Sequence, residues 1–351
     1  MKKNENILVI RFSSLGDIVI LVPLLRVLFK TYPNLNITIA TNKKLRPVFF
    51  EFKRLKFFNV DFNKTHKGLI GLWRLFNELK VLNISCIADL HAVIRSYIIG
   101  GFFKLSFFKL KRINKGRIVK KALIRKKNKV FRPLISTLYR YSDVFGKLGY
   151  PIDFVNHEFP DKLSMPEKLI GKYDKKEKLF VGIAPFAAHI GKIYPLDLMQ
   201  KVVGYLEKNY KIFLFGFGKE QTSKLNLWES AFSNVFNCSN SLNLFDQIKL
   251  ISNLSLMISM DSFNGHLAAN AGIPVITIWG MTHPFLGFSP FSQPDLNQIV
   301  IDRNKFNLIP TSVYGNKIPK GYENAFRNIS PLTIIERAKK ILSTKHHQNL
   351  L

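Results

Sequence analysis

Two periodicities share this chain: short apolar runs rich in β-branched residues alternate with segments whose apolar positions recur every three or four residues. The runs predict strands over residues 7–12, 36–40, 57–62 and 84–90, with helices such as 17–32 and 68–82 between them. A stretch over 149–178 with Pro151, Pro160, Pro166 and a polar cluster from Tyr173 to Lys178 has the composition of a linker. The rhythm then restarts, with strands at 179–184, 211–215, 235–238, 254–260 and 274–279 and helices near 196–209, 220–232, 244–253 and 262–271. Parallel strands need a long crossover between them, so this alternation predicts an α/β protein of two Rossmann-like domains, 1–165 and 166–330. A C-terminal helix and tail over 331–351 follows, with Ser330 as N-cap and Pro331 at the first helical position.

Composition adds a partner class. Of 351 residues, 53 are Lys or Arg and 23 are Asp or Glu, a net charge of +30, while 47% are apolar. The apolar content excludes a disordered polycation. Residues 1–150 carry 31 basic and 7 acidic residues, net +24, against 22 and 16, net +6, in the remainder. Residues 90–142 lack any acid, and 102–132 hold 13 cations. The N-terminal domain therefore reads as strongly basic, and its partner as an anion: nucleic acid, a membrane surface or an acidic substrate. Cys86 and Cys238 lie far apart in apolar runs, which points to a reducing compartment and to neither disulfide nor zinc. His346 and His347 read as a frayed end rather than a metal site. After Met1-Lys2-Lys3 the apolar run is too short for a signal peptide, and no run is long enough to span a bilayer, so a cytoplasmic location is expected.

In open parallel sheets ligands bind beyond the carboxyl ends of the strands, so the loops after strands are where chemistry is sought. The first, Arg11-Phe12-Ser13-Ser14-Leu15-Gly16-Asp17, offers hydroxyls, a glycine for close approach and a carboxylate at a helix start; its plain reading is a capping box of Ser14 and Asp17. The second, residues 184–195, is a small-residue loop ending in Lys192 before a helix, suited to a diphosphate or, plainly, to a solvated lysine. The third, 260–269, places Asp261, Ser262, Gly265 and His266 where a strand gives way to a helix. Asp261 or Ser262 can cap that helix while its N–H groups face an anion, or His266 can be a satisfied core residue. Asp89-Leu90-His91 with Arg95 can meet an anionic acceptor, and Trp279-Gly280-Met281-Thr282-His283-Pro284 can line a base or sugar pocket. No G-x-G-x-x-G and no D-x-D occurs, so a metal–diphosphate clamp has no evident ligands.

In their order and spacing these motifs resemble glycosyltransferase family 9, the ADP-heptose:lipopolysaccharide heptosyltransferases. R-F-S-S-L-G-D and Pro23-Leu24-Leu25-Arg26 are similar to the family's opening, and D-L-H-x-x-x-R-S, K-x-Y-P, D-S-x-x-G-H-L-A-A and G-x-T-H-P follow, together spanning residues 7–284. The resemblance implies a GT-B fold, two Rossmann-like domains facing across a cleft, with acceptor bound by the first and nucleotide sugar by the second. It implies an inverting glycosyltransferase that moves a heptose or related sugar from an ADP-sugar to an anionic lipopolysaccharide-core or lipid-linked acceptor. Asp17 would be the general base and Lys192 would stabilise the leaving diphosphate. Asp261, Ser262, Gly265 and His266 would wall the donor, joined on the donor side by Ser13, Ser14, Gly16, Ala187 and Ala188, while His91 and Arg95 would meet the acceptor. ADP-heptose is then a co-substrate, no obligatory metal is expected, and the location is the cytoplasmic face of the inner membrane with peripheral contact. Relatives often carry a hydroxyl where Ala187-Ala188 stands, so diphosphate contacts there fall to backbone N–H groups. The competing readings are a polyanion-binding or nucleic-acid-binding protein, against which no RNP, KH or zinc-finger pattern appears, and a catalytically inactive scaffold.

Overall fold

The computed structural model describes residues 5–170, 179–239 and 241–348, with side chains described as far as 344. The N-terminal Met1-Lys2-Lys3, the polar cluster from Tyr173 to Lys178 and the side chains of His346 and His347 lie outside the described residues. The chain divides into two compact units, 1–117 with 135–158, and 118–134 with 159–351.

Unit 1 is built on β1 (Glu5–Ile10), α1 (Leu15–Val19), α2 (Leu21–Thr31), β2 (Leu35–Thr41), β3 (Leu55–Asn59), α3 (Gly68–Lys80), β4 (Cys86–Asp89), α4 (Ile94–Leu105) and β5 (Lys109–Arg112). Helix α5 (Arg117–Ile124) carries the chain out of the unit and α6 (Thr137–Leu148) follows its return. All strand pairs are parallel, in the order β3-β2-β1-β4-β5. Strand β1 is central and fully buried after Glu5, which explains why it reads as an unbroken apolar run. The single helix expected over 17–32 is two, α1 and α2, meeting at Ile20. Pro23 lies in the first turn of α2, where its missing N–H costs nothing.

Unit 2 contains β6 (Phe180–Ala184), α7 (Leu196–Leu206), β7 (Lys211–Leu214), α8 (Gly218–Ala231), β8 (Val235–Asn237), α9 (Leu244–Ser252), β9 (Leu256–Met260), α10 (Phe263–Asn270), β10 (Val275–Trp279), β11 (Gln298–Val300) and α11 (Pro331–Gln348). Its sheet is parallel, in the order β11-β10-β9-β6-β7-β8. Helix α11 packs Ile334, Ile335, Ala338 and Leu342 into the same core as Val181, Ile258 and Ile278, so the C-terminal helix belongs to this unit. Ser330 accepts the Leu332 N–H at 3.2 Å, and Pro331 opens the helix.

The distribution of charge follows the fold rather than the halves of the chain. Segment 118–134 packs on unit 2: the Leu134 N–H bonds the Phe285 carbonyl, and Lys129 Nζ donates to the carbonyls of Leu123 and Pro310 at 2.7 Å each. Phe131 is clasped by Phe285, His283 and the Arg303 guanidinium, the last 3.4 Å from the ring centroid. That segment holds seven cations and no acid. Counted by compact unit, unit 1 has 24 basic and 9 acidic residues and unit 2 has 29 and 14, so each carries +15. The excess that the first half of the sequence shows is shared equally between the two compact units.

Candidate active site

In the first sheet the strand order reverses between β1 and β4, and the loops that follow these strands diverge there, the position at which such sheets bind ligands. Arg11, 4% exposed, organises the loop after β1. Its Nη1 donates to the Leu90 carbonyl at 2.7 Å and its Nη2 to Asp17 Oδ2. Ser14 Oγ donates to the same carboxylate oxygen at 2.8 Å, and the buried Tyr141 hydroxyl donates to the Asp17 carbonyl at 3.1 Å. Ser14 occupies the N-cap position of α1, yet its hydroxyl makes no cap bond. The capping-box reading therefore fails: the carboxylate is engaged by a buried guanidinium, and a charge-assisted bond outweighs a neutral one. Gly16 lies in the first turn of α1, half-buried.

Asp89, fully buried at the end of β4, accepts the N–H groups of His91 and Ala92 at 3.0 Å each on one oxygen and Arg112 Nε at 2.5 Å on the other. This turn brings the His91 ring back over the β1 loop. Its Nδ1 accepts the Phe12 N–H at 3.4 Å, which leaves the proton on Nε2, 3.4 Å from Ser13 Oγ. Burial, then Arg11 and Lys115, pushes His91 down to about 3, so the ring is neutral. Both of its nitrogens are engaged within the protein. Arg95 is exposed, its guanidinium 4.6 Å from the Phe62 ring centroid. Lys115, in the loop after β5, was not singled out by sequence because it is one cation among 13 in that stretch. Burial, then Arg11, lowers it to about 8, with Asp17 and Asp89 acting the other way.

In the second sheet the order reverses between β6 and β9. The loop after β6 holds Ala187, half-buried, and Ala188, exposed, then a 3-10 turn over Ile190–Lys192. Lys192 Nζ lies 2.8 Å from Oδ2 of Asp261, the first residue beyond β9. Thr282 Oγ1, from the loop after β10, donates to the same oxygen at 3.1 Å. Three loops thus converge on one carboxylate. A signal that sequence reading missed is Gly315: its carbonyl accepts the Gly191 N–H at 3.1 Å, its φ is +75°, and a Cβ there would stand 2.2 Å from Lys192 Cγ.

Around α10 the geometry corrects the expectations. Asp261 does not cap the helix, because its carboxylate turns to Lys192 and Thr282. Ser262 stands at the N-cap position, but its Oγ pairs with Ser259 Oγ at 3.0 Å and the first turn receives no side-chain cap. Gly265 faces the sheet, where a Cβ would approach Ser259 Oγ to 3.2 Å, so its role is close helix–strand packing. His266 is 6% exposed on the same helix. Trp279, read as a pocket wall, is fully buried and donates Nε1–H to Gln298 at 2.9 Å. His283 accepts the Phe285 N–H on Nδ1 at 3.1 Å and packs on Phe131.

The structure places Ser13, Ser14, Gly16, Asp17, His91 and Arg95 in unit 1, and Ala187, Ala188, Lys192, Asp261, Ser262, Gly265 and His266 in unit 2. Among the described residues no group of three or more His, Cys, Asp or Glu is disposed to hold a metal ion, and no helix is long and apolar enough to cross a membrane.

The fold matches a family 9 glycosyl transferase from Veillonella parvula DSM 2008 with a TM-score of 0.73 at 18% identity, covering 98% of this chain and 99% of that one. It also matches E. coli ADP-heptose lps heptosyltransferase II (TM-score 0.66, 17% identity, 97% and 99% covered) and E. coli heptosyltransferase WaaC with ADP (0.65, 13%, 96% and 99%). At such identities these likenesses show the fold, which is GT-B. No curated protein sequence matches the chain. Residues 106–307, more than half of the chain, match glycosyltransferase family 9 (heptosyltransferase), and the chain belongs to that family of glycosyltransferases.

Proposed function

We propose that the chain transfers a heptose, or a related sugar, from an ADP-sugar to an anionic lipopolysaccharide-core or lipid-linked acceptor at the cytoplasmic face of the inner membrane. Three loops meeting on Asp261, with Lys192 as their cation, are the observation that carries the donor side. A lysine ammonium keeps further donors when one is given to a carboxylate, so Lys192 can also reach a diphosphate oxygen. The solved WaaC structures described with ADP and with ADP-2-deoxy-2-fluoro heptose, of the same fold, support an adenosine diphosphate donor.

In this reading Asp17 takes the proton of an acceptor hydroxyl as that oxygen attacks the anomeric carbon. The bond from that carbon to the diphosphate oxygen breaks with inversion, and ADP departs carrying the electron pair. Arg11 and Ser14 fix Asp17 Oδ2, as an orienting group fixes a base. Ser262 and His266 complete the donor wall with the backbone of Ala187 and Ala188, Gly265 lets their helix lie close on the sheet, Ser13 and Gly16 shape the loop of Asp17, and Arg95 contacts the acceptor. Asp17→Asn should lower sugar transfer by about 10²- to 10⁴-fold while calorimetric ADP affinity is unchanged. Transfer that survives the substitution would remove Asp17 as base; absence of ADP binding to the unsubstituted protein would remove the donor assignment.

A further inference from the structure

The equal division of charge leaves open what distinguishes a membrane-facing surface, and the apolar surface of unit 1 answers it. Helix α3 buries Leu72, Leu75, Phe76 and Leu79 but turns Leu69, Ile70 and Trp73 outward, with Ile70 87% exposed. These three occupy adjacent positions of one solvent face, where a soluble helix carries polar residues. The neighbouring helix α4 meets this face through Phe102, whose ring stands edge-on to Trp73 with centroids 5.0 Å apart. The end of α4 exposes Leu105, and the turn after it Phe107, 97% exposed with φ +61°. A left-handed backbone is costly for a residue with a large side chain. A phenylalanine held in that conformation and pointed into water lacks a packing reason within the chain.

The cations of these elements are Arg74 and Lys80 on α3, Arg95 and Lys104 on α4, and Lys109, Lys111 and Arg112 on β5, of which Arg74 pairs with Glu78 and Arg112 with Asp89. No acidic residue lies between Asp89 and Asp143, so α4 and β5 bring cations alone. We propose that the outer face of α3, with Phe102, Leu105 and Phe107, is the surface by which the protein lies on an anionic lipid bilayer. Leu69, Ile70, Leu105 and Phe107 would enter the headgroup–acyl boundary, Trp73 would sit at its polar edge, and the lysines would meet lipid phosphates. A second copy of this chain would bring the same cations against these and is disfavoured on charge. The proposal rests on the membrane location given in the proposed function, and its test contains neither donor nor acceptor, so sugar transfer and membrane contact can fail separately.

The test is sedimentation of the full chain with vesicles of phosphatidylcholine alone and with about a third phosphatidylglycerol, near 0.1 M salt, where surface charges are screened only beyond roughly 10 Å. Binding to the anionic vesicles and not to the neutral ones is expected. Combining Ile70→Gln with Phe107→Asn should weaken it about tenfold or more, since the two exposed side chains supply much of the inserted apolar area. Asparagine tolerates a left-handed backbone, so this variant should keep its Tm and circular dichroism. Failure to bind anionic vesicles, or binding unchanged in a folded variant, overturns the proposal. Self-association that the same variant abolishes, without vesicle binding, assigns the face to a second copy and also overturns it.

Discussion

Lys192 Nζ and Asp261 Oδ2 stand 2.8 Å apart across the point where the strand order of the second sheet reverses. Each comes from a loop that follows a strand, and their pairing is not visible along the chain, since 69 positions separate them. The pair holds a cation at the carboxyl ends of the strands, and it also keeps a nearly buried carboxylate from standing alone.

Removing either partner should therefore have different consequences. Lys192→Ala leaves the Asp261 carboxylate buried, still accepting from Thr282 but without its cation, and is expected to cost about 3 kcal/mol of stability, whereas Lys192→Ala with Asp261→Asn should recover part of that. ADP affinity should fall in both. Thermal unfolding and ADP titration of the two single variants and the double variant give the coupling directly, and strict additivity would show that the pair does not act as a unit.

Gly315 is tested in the same way. Alanine there must accept a φ of +75° and a Cβ 2.2 Å from Lys192 Cγ, so Gly315→Ala should destabilise the protein by roughly 1–3 kcal/mol and displace the lysine. The expected signature is a weaker donor, read as a raised KM for the nucleotide sugar, with the acceptor KM unaltered. Equal changes in both would point to a general loss of folding.

The central strands were legible because they are buried on both faces and read as apolar runs; observed bounds differ from the expected ones by at most three residues. Strand β5 was missed for the opposite physical reason. It is an edge strand of sequence Lys-Leu-Lys-Arg, where cations protect an exposed edge and erase the apolar signal. Helices α4 and α5 were hidden inside the acid-free stretch 90–142, whose residues 118–134 pack through Phe131, Lys129 and Leu134 on residues more than 150 positions away. Among the candidate site residues, Asp17, Lys192 and Asp261 stand out in the sequence by their place in loops that follow strands. Their partners Arg11, Thr282 and Gly315 were not assigned roles, because hydrogen bonds between loops leave no periodic trace.

The histidines make a prediction about acid stability. Burial is the first cause in each case, and it holds His91 down to about 3 and His157 and His283 each to about 4. A histidine whose folded value is depressed takes up its proton first in the unfolded chain, so stability is complete above about 6.5 and is lost as the pH falls from there toward the folded values. Each group adds a slope of up to about 1.4 kcal/mol per pH unit in that window. Denaturant unfolding between pH 7 and 4.5 should show the decline, and His91→Gln should make it shallower. An unchanged slope in that variant would mean that His91 is not held neutral.

Lys115 carries the last prediction. Burial and Arg11 bring it down to about 8, below an ordinary lysine, so at neutral pH the folded state carries a cation its surroundings disfavour. Here the unfolded chain holds the proton more tightly between about 8 and 10.5, so this penalty is full below 8 and disappears as the pH rises through that window. Lys115→Met should therefore raise Tm at pH 7 and lose that advantage near pH 10. A residue kept at the expense of stability beside Asp17 is expected to serve the reaction, so the same variant should lower transfer through a raised acceptor KM while leaving the nucleotide-sugar KM unchanged. A stabilised variant with full activity would show that Lys115 is only a strained bystander, and a destabilised one would show that its charge is satisfied within the fold.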